Sequence, residues 1–356
     1  MIIRMLHSNN VIDMKIEDYP NISVIIPCRN EQEFIGKCLD SVVTNGYPSE
    51  KMEVLVVDGN SEDNTRTIIE EYMRSHKFIR LLENPEMVTP KALNIGIKKA
   101  SGDIIFRIDA HAEIQTGYLA NCVRYLQKYN ADNVGGVLAI KSRHNSLVAK
   151  AIALTFSHPF GSGNAYYKTG TSKVPQEADT VPFGCYRKDV FERIGLFNES
   201  LKRSQDMEFN TRLRKAGGRI ILVPGICSTY YVRSDLASYF MHNFQDGLWA
   251  IYPYIYIDSA LRVRHFIPAL FVGSLFASGL IGIIWRPFRY LLAAIAVAYS
   301  IFAGLFSMQI ARENEDAKLM PLCAISFITR HFGYGLGSLC AIPKTIRSRI
   351  SKYKDA

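Results

Sequence analysis

Paired cysteines are missing from this 356-residue chain: its seven cysteines are odd in number, scattered, and form no C-x-x-C. That pattern excludes a disulfide framework and a thiolate zinc site, and fits a reducing compartment. Residues 1–20 lack a continuous apolar core, because Arg4, His7, Asp13, Lys15, Glu17 and Asp18 interrupt the apolar positions. No signal peptide is therefore expected, and the amino-terminal domain is expected to stay in the cytosol. Repeats with a period of about 20 to 50 residues are also absent, which excludes a solenoid. There is no Walker loop, and Gly333-x-Gly335-x-Gly337 follows no strand-like run, so it is no dinucleotide fingerprint.

An acidic excess is lacking too. The formal charge is +9, with basic residues spread out except for Lys344, Arg347, Arg349, Lys352 and Lys354. That cluster follows an apolar region, so its expected partner is anionic lipid headgroups and not nucleic acid; the alternative is a solvated tail. Charge disappears altogether from Phe266 to Trp285 and from Tyr290 to Ala311. Each run has about the length that spans a bilayer, so two transmembrane helices are expected. A third apolar stretch, Leu319 to Pro343, carries Arg330 and His331 at its middle. It either packs those charges inward, lies in the interface or re-enters. A cytosolic amino-terminal domain and a cytosolic basic tail require an even number of crossings, which favours two spans plus an interfacial third segment.

Upstream, the chain has room for one large α/β domain and an appendage. Ile22 to Pro27 reads as a buried strand, and Glu31 to Val43 has helical spacing, with Phe34, Ile35, Cys38, Leu39, Val42 and Val43 on one side. Glu53 to Val57 predicts a second strand ending at Asp58. Ser61 to Thr65 then offers several capping oxygens for a helix reaching Arg74. A third strand is expected over Phe78 to Glu83, a third helix over Pro90 to Ala100, and a fourth strand over Ile104 to Ile108, delivering Asp109 and His111 at its end. This alternation indicates a parallel sheet, and carboxylates at the ends of its strands sit on the edge where open α/β folds bind ligands. Lys141 to Ala178 shows no clear pattern.

Several pieces then carry a family resemblance: Pro27-Cys28-Arg29-Asn30-Glu31, Val56-Val57-Asp58-Gly59-Asn60-Ser61, Asn94-Ile95-Gly96, Ala100-Ser101-Gly102-Asp103 and Asp109-Ala110-His111. Pro182-Phe183-Gly184-Cys185-Tyr186-Arg187, Gly195-Leu196-Phe197, Ser204-Gln205-Asp206-Met207-Glu208, Arg212-Leu213 and Gly217-Gly218 continue it in order. Over about residues 20 to 235 the chain resembles the family 2 glycosyltransferases. The Asp-Ala-His variant and the membrane segments resemble most the succinoglycan-type exopolysaccharide transferases. The resemblance implies a GT-A fold: a Rossmann-like, mixed, mainly parallel sheet with helices on both faces, here followed by transmembrane helices. The expected division is an extension (1–20), a GT-A domain (21–235), an aromatic-rich interfacial segment (236–264), a membrane region (265–343) and a basic tail (344–356).

Site residues follow from the same resemblance and can be argued physically. A nucleotide-sugar donor leaves a diphosphate whose charge must be neutralised, and a carboxylate holding Mg²⁺ or Mn²⁺ does so. Asp109 is that carboxylate. Asp109 also reads as a strand-end carboxylate that caps the next element. Where the family has Asp-x-Asp this chain has His111, which either joins the metal, suiting Mn²⁺ better than Mg²⁺, or contacts phosphate or donor sugar. Asp58 matches the carboxylate that reads uracil or ribose. Pro27, Asn30 and Glu31 shape the same pocket, with Glu31 near the ribose, although Asn30 and Glu31 also suit a helix N-cap. Asp103 follows a turn-forming Gly and reads equally as a turn carboxylate. Asp206 matches the general base that takes the acceptor's proton, from the first turn of a helix whose dipole favours a carboxylate there; Glu208 is its rival, and an N-cap without catalytic duty is the alternative for Asp206.

Acceptor-side candidates are Gly184, Gln245 and Trp249. The last two lie in Tyr239 to Ile257, an aromatic-rich stretch that fits the headgroup region and reads equally as simple anchoring. Gln245-Asp246-Gly247-Leu248-Trp249 is similar to the Gln-x-x-Arg-Trp of processive synthases, but Leu248 replaces the Arg, which favours addition of a single sugar. The expected activity is inverting transfer from a UDP-sugar to a lipid-linked saccharide in exopolysaccharide, capsule or O-antigen assembly, at the cytosolic face of the inner membrane. Its alternatives are a polyprenyl-phosphate sugar transferase and a non-catalytic nucleotide-binding scaffold. Other polysaccharide-assembly proteins are expected partners.

Overall fold

The computed structural model describes residues 19–163, 165–170, 173–255 and 263–354. The expected extension and the expected lack of a signal peptide fall almost wholly outside them, as do Tyr256 and Ile257.

The first half alternates as the apolar runs predict: β1 (Ile22–Cys28), α1 (Ile35–Val43), β2 (Met52–Asp58), α2 (Thr65–Ser75), β3 (Ile79–Glu83), α3 (Thr89–Lys99), β4 (Ile104–Arg107) and β5 (Ala112–Ile114). There follow α4 (Tyr118–Lys128), β6 (Asn133–Ser142), α5 (Leu147–Ser157), α6 (Pro159–Ser162), α7 (Tyr166–Thr169), β7 (Gln176–Glu177), β8 (Cys185–Arg187), α8 (Asp189–Ile194), α9 (Gln205–Lys215) and β9 (Ile220–Val232). Helices α10 (Leu236–Ile251), α11 (Val263–Ile284), α12 (Pro287–Glu313) and α13 (Leu319–Lys354) complete the chain.

Two compact units emerge. The first comprises the described residues of Met1–Ala139 and Gly170–Tyr230, the second those of Ile140–Thr169 and Tyr231–Ala356. Residues 140–169 thus group with the carboxy-terminal helices, a non-contiguous arrangement that a single cut near residue 235 does not capture.

In the first unit the described residues build a nine-stranded mixed sheet of order β3-β2-β1-β4-β8-β6-β9-β5, with β7 added on β9. Strands β3, β2, β1 and β4 are parallel, and β8 then reverses direction against both β4 and β6. β1 and β2 are buried on both faces, hence their unbroken apolar runs. Val24 and Ile26 face one side, in a core with Ile35, Cys38 and Leu39 of α1 and Leu119 and Cys122 of α4. The intervening Ile25 faces the other, against α3, so closely that a Cβ on Gly96 would lie 2.5 Å from Ile25 Cγ2. Helices therefore cover both faces, and each large side chain so buried stabilises the unit by about 1.5–3 kcal/mol.

Boundaries shift for local reasons. α1 starts at Ile35 and not at Glu31, because Asn30 has φ +53° and the Glu31 carbonyl is spent on a turn with Phe34 N and Ile35 N. Neither Asn30 nor Glu31 caps it: the N-cap is Phe34, with no side-chain hydrogen bond.

In the second unit, the supposedly unpatterned stretch contains α5, whose start is capped by Ser146 Oγ accepting from Ala149 N. Ala151, Ile310, Ala311, Leu319, Cys323 and Phe327 form its core. Helices His265–Ile284 and Pro287–Glu313 are long and apolar enough to cross a membrane. Leu270, Phe276, Leu280, Ile283, Val297 and Leu305 stand exposed on them.

The third apolar stretch is one continuous helix, α13, running through Lys344 and Arg347 to Lys354. Of the options open for it, inward packing of Arg330 is the one observed. The guanidinium is buried, donating from Nη1 to Asn243 Oδ1 (3.0 Å) and Tyr239 Oη (3.2 Å), and from Nε to the Gly161 carbonyl. Tyr239 is consequently buried and not placed as an interfacial anchor. The glycines of 333–337 let helices meet. A Cβ on Gly337 would lie 2.0 Å from the Phe244 carbonyl oxygen of α10, and one on Gly335 2.5 Å from that of Pro268 in α11.

Candidate active site

At the carboxyl ends of β1 and β2 two loops interlock. Asn30 and Asn60 adopt left-handed backbone (φ +53° and +54°), a region asparagine tolerates. Asn30 N donates to Ser61 Oγ (2.9 Å), and Glu62 N donates to Asn30 Oδ1 (2.9 Å). Asp58 is the keystone. Fully buried, it accepts from Ser61 Oγ (2.5 Å), Ser61 N (3.1 Å) and Arg66 Nη1 (3.3 Å). A base or ribose would have to use the acceptor capacity that these partners leave. Pro27 is half-buried at the end of β1, beside Val57. Burial first, and then the Asp58 charge, pushes the Cys28 thiol above its ordinary range, which favours the protonated thiol.

β4 delivers the next group. β4 ends at Arg107, and Asp109 follows two residues later, close enough for their side chains to meet. Arg107 donates from Nη2 (3.0 Å) and Nε (3.3 Å) to Asp109 Oδ1, with Nη2 also 3.4 Å from Oδ2. Its Nη1 lies 3.5 Å from Asp206 Oδ2. Burial would weaken the guanidinium's hold on its proton, but Asp109 and then Asp206 outweigh it and hold the pKa above the usual arginine range. Arg107 is thus the centre of the cluster, and the sequence reading passed over it as part of an apolar run.

Asp206 sits in the first turn of α9, behind Ser204, whose φ is +57°. It is the most accessible of the trio: side-chain exposures are 12% for Arg107, 22% for Asp109 and 36% for Asp206. Its Oδ1 accepts from Met207 N (2.9 Å). Glu208, the rival base, is engaged elsewhere. Its side chain is 4% exposed and clamped by Arg212 through Nε–Oε1 (2.6 Å) and Nη2–Oε2 (3.0 Å). The neighbouring Gln205 is buried, with an Oε1 that has no hydrogen-bond partner.

His111 Nδ1 lies 3.0 Å from Glu31 Oε1, and its ring meets Tyr230 edge-on at 5.6 Å. A carboxylate partner places the proton on Nδ1 and, in the neutral ring, leaves the Nε2 lone pair available, the arrangement common behind metal-bound imidazoles. Among the described residues no group of three or more His, Cys, Asp or Glu side chains forms an all-protein metal cage. Asp109 and His111 nevertheless carry donor types that suit a cation such as Mn²⁺, whose other ligands would come from phosphate oxygens and water.

Gly184 has a packing reason of its own: a Cβ there would lie 2.5 Å from Tyr186 Cε2 and 2.6 Å from Asn133 Oδ1. Its carbonyl accepts from Arg107 N (3.1 Å), so it helps to hold β4. Gln245 and Trp249 stand on α10 of the second unit, Trp249 packed edge-on against Tyr252 at 5.1 Å. The first unit therefore gathers Asp109 and Asp206 around Arg107 and joins Glu31 to His111, while Asp58 holds the two interlocked loops, to which Glu31 is tied through Thr65.

Comparison with known proteins accords with this geometry. Residues 23–195 match the model of "Glycosyl transferase family 2". A Methanococcus voltae protein named as a dolichyl N-acetyl-alpha-D-glucosaminyl phosphate 3-beta-D-2,3-diacetamido-2,3-dideoxy-beta-D-glucuronosyltransferase is 32% identical over 235 residues, 64% of this chain and 71% of the relative. The succinoglycan biosynthesis protein ExoA of Rhizobium meliloti is 25% identical over 88% of this chain and 92% of its own. In fold, the chain is similar to the mannosyltransferase PcManGT of Pyrobaculum calidifontis, solved with GDP-Man and Mn²⁺ (TM-score 0.59, 20% identity, 91% of this chain and 88% of that one). The mixed sheet and its flanking helices are those of a GT-A fold, and the chain belongs to glycosyl transferase family 2.

Proposed function

We propose that this glycosyltransferase inverts the anomeric centre of a UDP-sugar as it adds one sugar to a lipid-linked saccharide, during exopolysaccharide, capsule or O-antigen assembly. The observation that carries the reading is the joining of Asp109 from the end of β4 to Asp206 from the start of α9 through Arg107. Asp206 is the exposed carboxylate of that cluster. It takes the proton of the acceptor hydroxyl as that oxygen bonds to the anomeric carbon, and the bond to the diphosphate breaks on the opposite face. Asp109, with His111, holds a divalent cation. When bound, such a cation neutralises the charge that develops on the departing diphosphate. Glu31 orients the His111 ring, and the locked loops of Asn30 and Asp58 bound the nucleotide side, with Pro27 at the strand end.

A lipid-linked acceptor is supported by the name of the Methanococcus voltae relative, which specifies a dolichyl-linked substrate, and exopolysaccharide assembly by that of the Rhizobium meliloti relative. Helices α11 and α12, with their exposed apolar side chains, anchor the chain in the inner membrane, with the first unit in the cytosol. Gln245 and Trp249 lie on the acceptor side, and the basic end of α13 meets anionic headgroups.

The full chain in detergent or lipid, screened against UDP- and GDP-sugars and lipid-linked acceptors, tests the reading. One UDP-sugar should be consumed to give a product of inverted anomeric configuration. A product of retained configuration, or transfer to the lipid phosphate itself without a pre-existing saccharide, would overturn it.

A further inference from the structure

We propose that Arg107 is a resident counter-ion that a divalent cation must displace from Asp109, so that this guanidinium sets cation affinity at the site. The proposal rests on the reading of Asp109 as the cation-holding carboxylate. Both oxygens of Asp109 lie within 3.4 Å of Arg107 Nη2, so neither is free of the guanidinium. A cation arriving there meets a positive charge already in place, in a setting where Arg107 is only 12% exposed and water screens little. The displaced guanidinium has somewhere to go, since its Nη1 is already 3.5 Å from Asp206 Oδ2.

Charge decides the order of events. Arg107, Asp109 and Asp206 together carry a formal charge of −1, and a divalent cation alone would make the cluster positive. A cation that arrives with the donor's diphosphate brings its own compensation. Arg107 thus disfavours an idle metal and couples metal binding to donor binding, with the Arg107–Asp206 contact tightening as Asp109 is taken over.

The test uses no turnover. Free Mn²⁺ is titrated by electron paramagnetic resonance into the purified full chain, as wild type, Arg107→Gln, Arg107→Lys and Asp109→Asn, with and without UDP. Mn²⁺ alone should bind about tenfold or more tighter to Arg107→Gln than to wild type, because a like charge a few ångströms away has gone. Arg107→Lys, which keeps the charge but not the fork, should fall between the two. The difference should shrink when UDP is present. Mn²⁺ affinity that is unchanged or weaker in Arg107→Gln, while Asp109→Asn abolishes binding, overturns the proposal alone. Unchanged affinity in Asp109→Asn overturns the assignment of Asp109, and the proposal with it. Thermal unfolding checks that each variant is folded; should Arg107→Gln fail, Arg107→Lys must bind Mn²⁺ more tightly than wild type or the idea falls.

Discussion

Asp206 and Glu208 lie two positions apart on α9, yet their surroundings give them opposite duties. Asp206 has one backbone partner and a long contact to Arg107, and is open to solvent. Glu208 is buried against Arg212, which also donates from Nη2 to the Leu196 carbonyl (2.7 Å), so this pair ties α9 to the segment before it. Removing one charge of a buried pair costs about 3–5 kcal/mol. Glu208→Gln should therefore lower the unfolding temperature while leaving kcat of the folded fraction near wild type, read by calorimetry beside a rate assay. A large fall in kcat at unchanged stability would return Glu208 to the chemistry. Sequence spacing could place both carboxylates in the first turn of a helix, but which of them is exposed depends on Arg212 and on the loop it grips. Arg107 was within reach of the sequence: a charge two residues before Asp109, in or next to an extended strand, points to the same side as Asp109. Its tie to Asp206, 99 positions along the chain (206 − 107), was not.

At the scale of elements, the parallel half of the sheet was legible because β1 and β2 are short apolar runs ended by polar turns, each followed by a helical period, and β4 is a further apolar run. One residue fastens that half. Glu53 on β2 accepts from Ser23 Oγ on β1 (2.5 Å) and from Ser101 N (2.5 Å) and Oγ (2.8 Å) before β4. Burial would raise the Glu53 carboxyl, but these donors and Arg80 outweigh it and hold it below its usual 4.5. A depressed folded pKa gives stability that is complete above the unfolded value and is lost as pH falls through the folded one. Glu53→Gln should thus be less stable than wild type at pH 7, with the gap closing below about pH 4.5; a gap that is constant with pH would contradict this. The helical unit was less legible. α5 is a single short helix between turn-rich segments, and what Gly333, Gly335 and Gly337 do became plain only with their partner carbonyls in place. Gly337→Leu should separate α10 from α13 at a cost of about 1–3 kcal/mol or more, whereas Gly304, with nothing within 4 Å of its added Cβ, should accept Leu freely. Equal unfolding temperatures for the two variants in detergent would refute the close-packing account.

For the whole molecule, one unit carries the nucleotide-sugar fold and the other carries the apolar helices, with residues 140–169 contributed to the helices from within the first unit's span. That interleaving is invisible to a linear reading, since the helical period of α5 is only one element long and its partners come much later in the chain. The family was legible because its motifs sit at strand ends in a fixed order. Donor identity was not, because it depends on a few hydrogen bonds placed by loops. The measurement that bears most directly on the central claim is donor turnover and sugar transfer by the full chain, with Asp206→Asn beside wild type and nucleotide binding followed in both. The account predicts transfer from one nucleotide-sugar that falls by about 10² to 10⁴-fold in Asp206→Asn, with nucleotide binding retained. Transfer that persists at the wild-type rate in Asp206→Asn would contradict it.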